Sequence, residues 1–507
     1  MPNYGFAIDL RKCIGCHACT IACKAEHQIP IGVNRCWVKT VEKGTFPDTR
    51  RFFFPVLCNQ CHDAPCARIC PTSALYKRRD GIVDLNGESC IGCRACMEAC
   101  PYDQLFIDPD THTAEKCNFC ANRVENRLQP ACVSVCPTEC RIFGDLEDPS
   151  SEVARIFQRE AFMVRKPEKG TGPKVLYLGA EESVIRPETA ARPLYFKEGE
   201  VHLRPLGAPL PDPDSPGDPR VDYDVPHGKP WGIDMVLYLL FKAIATGSLM
   251  VAALLWRLGF DGPLTTMAGA ALSLIFITLT AVVLIVDLER PERFYYILTR
   301  GNRRSWMVWG AYFLTAHGGL SAAWLAAGWF GAEVVLDWLV LPSLVIGALA
   351  TSYTGFLFAQ GLARDLWQGP AAAIDLVFQS VAAGAAALLL VAVLLGERAG
   401  DAAIVLGWLL AGSVGAHLVI LVFEHLLSPS PTRHHELATE TIRRGAYAPL
   451  FWGGAIVGGG LLPLGLLLTL GVTGSSVVAS LAAVLALAGG AAWEYIWVEA
   501  GQSVPLS

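Results

Sequence analysis

The sequence predicts a cysteine-rich α+β domain joined to an all-α bundle of eight transmembrane helices. Two observations carry this prediction. All 18 cysteines lie between Cys13 and Cys140, and long apolar runs begin only near Trp231. Because 507 residues exceed the size of one ordinary domain, we assign the two features to separate folded units.

Three segments follow from the change in composition. Residues 1–196 form the cysteine-rich domain, and residues 231–507 form the membrane domain. Residues 197–230 are predicted to be a semi-rigid linker, because eight prolines fall between Pro205 and Pro230. The net charge of −6 and the lack of a basic patch indicate that nucleic acid is not a partner.

The membrane domain is predicted from the length of its apolar stretches. A spanning helix needs roughly 20 apolar residues, and breakers such as Gly262-Pro263 and Gly369-Pro370 separate eight such stretches. Helices of a soluble protein would show polar faces, which these stretches mostly lack. The predicted spans are 232–256, 265–287, 306–329, 334–358, 371–395, 402–426, 449–470 and 476–497.

The cysteines repeat in four blocks of four. They are Cys13, Cys16, Cys19 and Cys23; Cys58, Cys61, Cys66 and Cys70; Cys90, Cys93, Cys96 and Cys100; Cys117, Cys120, Cys132 and Cys136. Proline follows the last cysteine of every block except the first, where Lys24 stands. Cys36 and Cys140 remain outside the blocks, and we interpret them as plain thiols.

This spacing indicates iron–sulfur ligation. Three closely spaced cysteines wrap three corners of a [4Fe–4S] cubane, and the fourth cysteine of a block reaches a neighbouring cluster. Sixteen ligands therefore predict four [4Fe–4S] clusters in a double-ferredoxin-like arrangement. Zinc is the competing interpretation, but zinc sites are built from pairs of Cys-x2-Cys rather than triplets followed by Cys-Pro.

The cysteine-rich domain resembles the iron–sulfur subunits of the polysulfide/DMSO reductase group, the partners of molybdopterin enzymes. The Cys-x2-Cys-x11-Cys-x3-Cys pattern of the fourth block and the segment Lys166–Tyr177 carry the resemblance. The resemblance implies that each cluster takes ligands from two blocks. The implied ligand sets are Cys13, Cys16, Cys19 and Cys136; Cys117, Cys120, Cys132 and Cys23; Cys58, Cys61, Cys66 and Cys100; Cys90, Cys93, Cys96 and Cys70.

The membrane domain resembles the NrfD/PsrC family of quinone-reactive anchors. The matching segments are Asp287–Phe294, Ser305–Gly310 and Tyr353–Gly355. The family implies that a helix-one histidine and a tyrosine contact the quinone. Tyr238 occupies the histidine position, a departure from the family pattern, and Tyr353 matches the tyrosine.

Polar side chains inside spanning helices are costly, so they mark functional sites. The candidates for a quinone site are Asp234, Tyr238, Lys242, Tyr353 and Asp375. The tyrosines and the lysine are expected to donate hydrogen bonds to menaquinone or ubiquinone, and the aspartates to carry protons. Two alternatives stay open: Asp234 at the membrane interface, and Lys242 extended to the headgroups. Glu494 is expected at the interface.

We expect an electron-transfer and quinone-reactive subunit of a respiratory oxidoreductase. The sequence shows no primary substrate site, so a separate catalytic subunit, by resemblance a molybdopterin enzyme, is expected as its partner. A hydrogenase or cytochrome partner is an alternative. Another alternative is an electron-driven, proton-translocating module, in which His417 and Glu424 on one helix face begin the proton path.

The loops predict the orientation in the inner membrane. Nine arginines lie in loops on the side of the cysteine-rich domain, whereas the opposite loops carry Arg257 and Arg398. The positive-inside rule then places the iron–sulfur domain in the cytoplasm. The first residues show no secretory signal, which agrees. Some of these arginines are alternatively expected to dock the iron–sulfur domain.

Overall fold

The computed structural model describes residues 2–190, 195–197, 200–202, 217–396, 401–473 and 475–507. Small sheets and short helices make up the N-terminal part, and long helices make up nearly all of the C-terminal half. This arrangement confirms the prediction of an α+β unit followed by a helical membrane unit.

Two three-stranded sheets frame the N-terminal unit. In the first, β1 (Tyr4–Asp9) lies between β8 (Arg141–Asp145), which is antiparallel to it, and β9 (Val175–Leu178), which is parallel. In the second, β2 (Cys36–Gly44) pairs with β3 (Arg50–Leu57) on one side. Short hairpins are formed by β4 (Leu75–Lys77) with β5 (Val83–Leu85), β6 (Phe106–Ile107) with β7 (Ala114–Glu115), and β10 (Tyr195–Lys197) with β11 (Glu200–His202).

Short helices follow the cysteine runs. They are α1 (Ala18–His27), α2 (Pro65–Ile69), α3 (Ala95–Ala99), α4 (Ala121–Val124), α5 (Ala131–Ser134), α6 (Glu152–Arg159) and α7 (Glu182–Ile185). The residue before three of them, at His17, Arg94 and Cys120, has a left-handed backbone conformation. These turns curl the chain around the thiols of each run.

The structure differs from the prediction at the C-terminal end of the linker. Gly217–Tyr223 forms strand β12, which pairs antiparallel with β2 and extends the second sheet. A proline-rich composition is compatible with an edge strand, because Pro is tolerated where no ladder hydrogen bond is required. Residues 198–199 and 203–216 of the predicted linker lie outside the described residues.

Long helices build the membrane unit in chain order. They are α8 (Ile233–Arg257), α9 (Gly269–Val286), α11 (Trp306–Trp329), α12 (Glu333–Ala359), α13 (Ala372–Leu395), α14 (Ala402–Val422), α16 (Leu462–Thr473) and α17 (Ser476–Gly501). π-Helical turns extend three of them, at Leu264–Ala268, Phe423–Leu427 and Leu450–Leu461. Two shorter helices, α10 (Tyr296–Thr299) and α15 (Arg433–Arg443), lie in connections.

Seven of the helices in the described part of the chain are long and apolar enough to cross a membrane. Helix α11 occupies the position of the third predicted span but is not among the seven. Gly, His, Ser and Thr residues interrupt its apolar run, which explains the difference. The structure therefore supports seven spans by composition, and eight remains the prediction.

One hydrophobic core joins the two units. It includes Cys96 and Tyr102 from the cysteine-rich unit and Trp231, Phe358 and Trp367 from the membrane unit. Trp231 lies just before α8 and packs its ring on Phe358 and Trp367, with centroids 5.1 Å and 5.6 Å apart. The two units are thus packed directly against each other.

Candidate functional site

Two of the predicted cysteine sets line cavities in the N-terminal unit. One cavity is lined by Cys13, Cys16, Cys19 and Cys136, here called the first set. The other is lined by Cys70, Cys90, Cys93 and Cys96, the fourth set. Each set combines three cysteines of one block with one from another block, as the resemblance implied.

The other eight cysteines gather in two further groups. In the second set, Cys117 lies within electrostatic range of Cys23, Cys120 and Cys132. In the third set, Cys66 has the same relation to Cys58, Cys61 and Cys100. Burial raises the pKa of the Cys23 and Cys61 thiols to about 12, so metal binding at these sites must displace protons.

The donor set fits four-iron cubanes. Within the described residues, no three His, Cys, Asp or Glu side chains converge on a single metal ion. A cubane spreads its four thiolates over four iron corners, further apart than the ligands of one zinc ion. Backbone N–H groups also point at the sulfurs: Ala114 N lies 3.4 Å from Cys90 Sγ, and Phe119 N lies 3.4 Å from Cys117 Sγ.

The four sets follow one another through the N-terminal unit. Cys19 of the first set is an electrostatic neighbour of Cys132 of the second set. The second and third sets are linked through Cys117 and Cys58. The third and fourth are linked through Cys66 and Cys96. Cys16, in the first set, is exposed to solvent.

The fourth set lies at the junction with the membrane unit. The Trp231 indole N–H points at the Cys93 carbonyl oxygen at 3.5 Å, and Arg293 donates to the Cys90 carbonyl oxygen at 2.9 Å. The Arg94 guanidinium pairs with the Asp287 carboxylate. Close contact is possible because Gly92 has no side chain: a Cβ there would lie 2.3 Å from the Cβ of Glu289.

Other connections of the membrane unit dock in the same way. Ser305 donates from its hydroxyl to the Ile69 carbonyl oxygen at 2.6 Å. Arg290 donates to the carbonyl oxygen of Thr111 at 2.5 Å. The segments Asp287–Phe294 and Ser305–Gly310, which carry the family resemblance, therefore serve in the structure as contacts to the cysteine-rich unit.

These contacts bear on the predicted orientation. Of the nine arginines counted in the loops, Arg290, Arg293 and Arg364 bond to the cysteine-rich unit. The positions of these three arginines are explained by their contacts with the cysteine-rich unit, an alternative that the sequence analysis left open. Within the described part of the chain the other six show no such bond, and the orientation that the positive-inside rule predicts from them stays a prediction.

Three of the five predicted quinone residues come together inside the membrane unit. The Tyr238 and Tyr353 hydroxyls are hydrogen-bonded to each other. Thr354 Oγ1 lies 2.8 Å from the Tyr238 hydroxyl and accepts from Lys242 Nζ at 2.5 Å. The ammonium of Lys242 lies over both tyrosine rings, 5.0 Å and 5.6 Å from their centroids. We call these four residues the tyrosine–lysine cluster.

The cluster explains a glycine in the segment Ser305–Gly310. A Cβ at Gly310 on α11 would lie 2.1 Å from Cε2 of Tyr353. The absence of that Cβ lets the Tyr353 ring pass between α11 and α8. Lys242 is 1 % exposed, so the alternative of a side chain extended to the headgroups is wrong.

Asp375 lies in a second polar group beside a cavity. Its carboxylate bonds His417 Nδ1 at 2.7 Å and accepts from Gln379 Nε2 at 2.7 Å. Gln379, His417 and Glu494 line a cavity between α8, α13, α14 and α17. We call this the membrane cavity, and its other walls are mainly Gly, Ala and Leu.

Two sequence predictions on polar residues need correction. Asp234 is exposed and lies outside both groups, so the helical spacing that aligned it with Tyr238 did not bring it into the site. Glu494 is 3 % exposed rather than interfacial. Glu424 accepts from the Ala371 backbone N–H at 3.2 Å, and His417 bonds Asp375. The proton path proposed to begin at His417 and Glu424 stays a prediction.

Sequence reasoning did not identify the roles of three residues in this region. Thr354 joins Tyr238 to Lys242, although a threonine in an apolar helix gives no signal by itself. Glu494 was expected at the interface, although an acid within an apolar span could have been assigned to the site. Trp231 was noted as the start of the apolar half, yet its contact with Cys93 depends on tertiary packing.

The sequence matches two families, one in each unit. Residues 225–505 match the family described as polysulphide reductase, NrfD. Residues 49–146 match a 4Fe-4S dicluster domain.

The cysteine-rich unit is similar to two reductase subunits and to protein NrfC. The arsenate respiratory reductase iron-sulfur subunit ArrB of a Shewanella species is 36% identical over 222 residues, which is 34% of this chain and 95% of that protein. A tetrathionate reductase subunit of Salmonella typhimurium is 42% identical over 201 residues, 39% of this chain and 80% of that protein. Protein NrfC of Escherichia coli (strain K12) is 42% identical over 177 residues, 34% of this chain and 79% of that protein.

Proposed function

The chain belongs to the polysulphide reductase NrfD family, and we propose that it is the electron-transfer and quinone-reactive subunit of a respiratory membrane oxidoreductase. Four [4Fe–4S] clusters, held by the four cysteine sets, connect a separate catalytic subunit with the quinone pool. A bound cluster takes up and releases single electrons. The chain's own residues hold the clusters in sequence and bind the quinone.

One observation carries the proposal: the four sets succeed one another from a solvent-exposed end to the membrane junction. Cys16 is exposed at one end, and Cys93 adjoins Trp231 at the other. Trp231 precedes Tyr238 by seven residues, which is about 10 Å along a helix. This order supports a continuous electron path from the aqueous surface to the tyrosine–lysine cluster.

The exposed end is the proposed docking place of the catalytic subunit. Ile14 and Ile21 beside the first set are 57% and 65% exposed. Large apolar side chains at a surface mark interaction sites when they cluster. Subunits of tetrathionate and arsenate reductases are similar to this chain, which supports a reductase-type partner. We propose a molybdopterin enzyme, and a hydrogenase or cytochrome is the alternative.

The membrane end is the proposed quinone site. We place the ring of menaquinone or ubiquinone in the membrane cavity, next to α8, with His417 and Glu494 as its polar contacts. Ligand sites are mostly apolar cavities with a few convergent polar groups, and the membrane cavity has this character. Asp375 bonds His417, and Lys242 is an electrostatic neighbour of Glu494, so we propose that Asp375 and the tyrosine–lysine cluster deliver protons through these two cavity residues.

The proposed location is the inner membrane, with the iron–sulfur unit in the cytoplasm. The six arginines that do not bond the cysteine-rich unit support it through the positive-inside rule. Protease treatment of sealed spheroplasts tests this orientation. Cleavage of the iron–sulfur unit only after the membrane is opened is expected, and cleavage in intact spheroplasts would reverse the assignment.

The whole proposal is tested by purification in mild detergent with co-purifying polypeptides, followed by iron, zinc and molybdenum analysis. About sixteen irons per chain, with molybdenum on a second polypeptide, is the expected result. Sixteen irons without molybdenum would keep the electron path and point to a hydrogenase or cytochrome. Zinc without iron would overturn the proposal.

Proton translocation is a second candidate, favoured by hydroxyl groups below Lys242. Thr351 on α12 donates to Thr246 at 2.8 Å and lies 3.2 Å from Ser380. These groups continue the polar line of the tyrosine–lysine cluster by one helical turn. Reconstitution with a pH-sensitive dye inside the vesicles tests it. A quinone-dependent pH change that Thr351→Val abolishes is expected for translocation, and an unchanged interior pH would exclude it.

A further inference from the structure

The two cysteines outside the sixteen proposed ligands both lie beside the first set. Cys140 Sγ is 3.5 Å from Cys136 Sγ, and Cys140 also hydrogen-bonds Cys13. Cys36 hydrogen-bonds Cys19. Both side chains are 3 % exposed. The sequence predicted that Cys36 and Cys140 are plain thiols. The structure adds that each of them contacts a proposed cluster ligand.

A buried guanidinium also lies beside the first set. Arg141 begins β8, is 2 % exposed, and donates to Cys36 Sγ at 3.1 Å. Its Nε and Nη1 groups are buried and make no hydrogen bond to the described protein. Arg141 is within electrostatic range of Cys19 and also of Cys132 in the second set. A fixed positive charge thus lies between the first two sets.

We propose that Cys36, Cys140 and Arg141 raise the reduction potential of the cluster in the first set. The inference rests on the proposed function, because it requires that this set holds a cluster. Hydrogen bonds to the sulfurs and the net charge nearby set cluster potentials. Two thiol donors and one cation stabilise the added negative charge of the reduced cluster, most strongly in a buried site of low dielectric.

The consequence for function is a preferred place for electrons. The first set lies at the exposed end, where the partner is proposed to dock. A raised potential there makes this cluster the favoured electron acceptor or store on the partner's side. Among the described residues, the cysteine neighbours of Cys140 are Cys13 and Cys136 of the first set, whereas Cys36 is a neighbour of Cys19 in the first set and of Cys132 in the second.

The test is an anaerobic redox titration of the full-length chain in detergent, followed by electron paramagnetic resonance. The double variant Cys36→Ala/Cys140→Ala removes both thiol donors and leaves Arg141 in place. One midpoint potential is expected to fall, so that the oxidised-to-reduced ratio at a fixed potential rises about tenfold, or ~59 mV for one electron. The other three potentials and the iron content are expected to stay unchanged.

Two single variants serve as controls. Cys140→Ser keeps a hydrogen-bond donor, and Val38→Ala removes packing from the same cavity without touching a donor. Both are expected to keep the wild-type potentials. Unchanged potentials in the double variant would overturn this inference alone. A loss of about four irons would also overturn it, because Cys36 or Cys140 would then be a cluster ligand. A wild-type chain without about sixteen irons would overturn the four-cluster proposal as well.

Discussion

Nε of Arg364 donates to the Glu98 carboxylate at 2.6 Å across the junction of the two units. Glu98 is 0 % exposed, and Arg364 is 6 % exposed. Glu98 belongs to the helix that carries Cys96, whereas Arg364 follows the helix that carries Tyr353. This ion pair therefore ties the last proposed cluster to the tyrosine–lysine cluster.

Removing one partner of this pair is expected to be costly. Burial raises the pKa of Glu98 while Arg364 opposes that shift. Arg364→Met leaves a buried carboxylate unpaired and should destabilise the chain by about 3–5 kcal/mol. Loss of cluster absorbance on heating measures it. The double variant Glu98→Gln/Arg364→Met should recover part of the loss.

A surface pair provides the control. Arg51 pairs with Glu42 at 3.0 Å, but its side chain is 52% exposed. Arg51→Met is expected to cost less than about 1 kcal/mol. Equal losses from Arg51→Met and Arg364→Met would show that the buried pair does not hold the two units together.

Helix α11 offers a matched pair of glycines for testing the membrane site. A Cβ at Gly310 would overlap the ring of Tyr353, whereas a Cβ at Gly319 would meet nothing within 4 Å. Gly310→Ala should therefore displace Tyr353 and slow cluster oxidation by quinone about tenfold or more, with iron retained. Stopped-flow absorbance measures the rate. Gly319→Ala should behave as wild type, and equal rates in the two variants would contradict the role of Tyr353.

Lys242 is expected to support the quinone reaction through its neighbour Glu494, which lines the membrane cavity. Its ammonium donates to Thr354 and lies beside the Tyr238 ring. Lys242→Met keeps the length of the side chain and removes its donors, so quinone turnover should fall about tenfold or more. Tyr295→Phe, at an exposed loop tyrosine, is the control. Full turnover in Lys242→Met would remove this residue from the site.

His227 is expected to make stability depend on pH. Burial alone lowers its pKa, but the Asp103 carboxylate at 2.6 Å and Asp224 raise it to about 9. This folded-state pKa exceeds the ordinary value of 6.5. The stabilisation of the fold by protonated His227 is therefore complete below about pH 6.5 and is lost as pH rises through about 9. The difference between the two pKa values corresponds to about 3 kcal/mol in the free energy of unfolding.

Thermal unfolding of wild type and His227→Asn between pH 6 and pH 10 measures this contribution. The wild type should be the more stable protein at pH 6, and the gap should close by pH 10. A gap that stays constant over this range would show that the His227 charge does not stabilise the fold.

The sequence predicted the features that local patterns determine. The cysteine blocks and the apolar runs each repeat over short distances, so the helix bounds agree within a few residues. The sharing of cysteines between blocks came from resemblance, and the structure groups them in the same way. Tyr238, Lys242 and Tyr353 were found because polar groups are rare in apolar helices.

The remainder depends on tertiary packing, which spacing does not encode. Asp234 shares a helix face with Tyr238, yet it lies at the exposed end of that helix. Cys36 and Cys140 are far apart in sequence, and the fold alone places both at the first set. Strand β12 needed β2 as a partner before its extended, proline-rich sequence could be recognised as part of a sheet.

Electrons are proposed to pass through the four sets in order and to leave at the membrane. The decisive experiment is to reduce the full-length chain with dithionite, mix it with a soluble quinone and freeze samples for electron paramagnetic resonance. All clusters of the wild type should be reoxidised. In Cys93→Ala, which loses the cluster next to Trp231, the remaining clusters should be reoxidised much more slowly. Wild-type clusters that stay reduced, or equal rates in Cys93→Ala, would contradict this electron path.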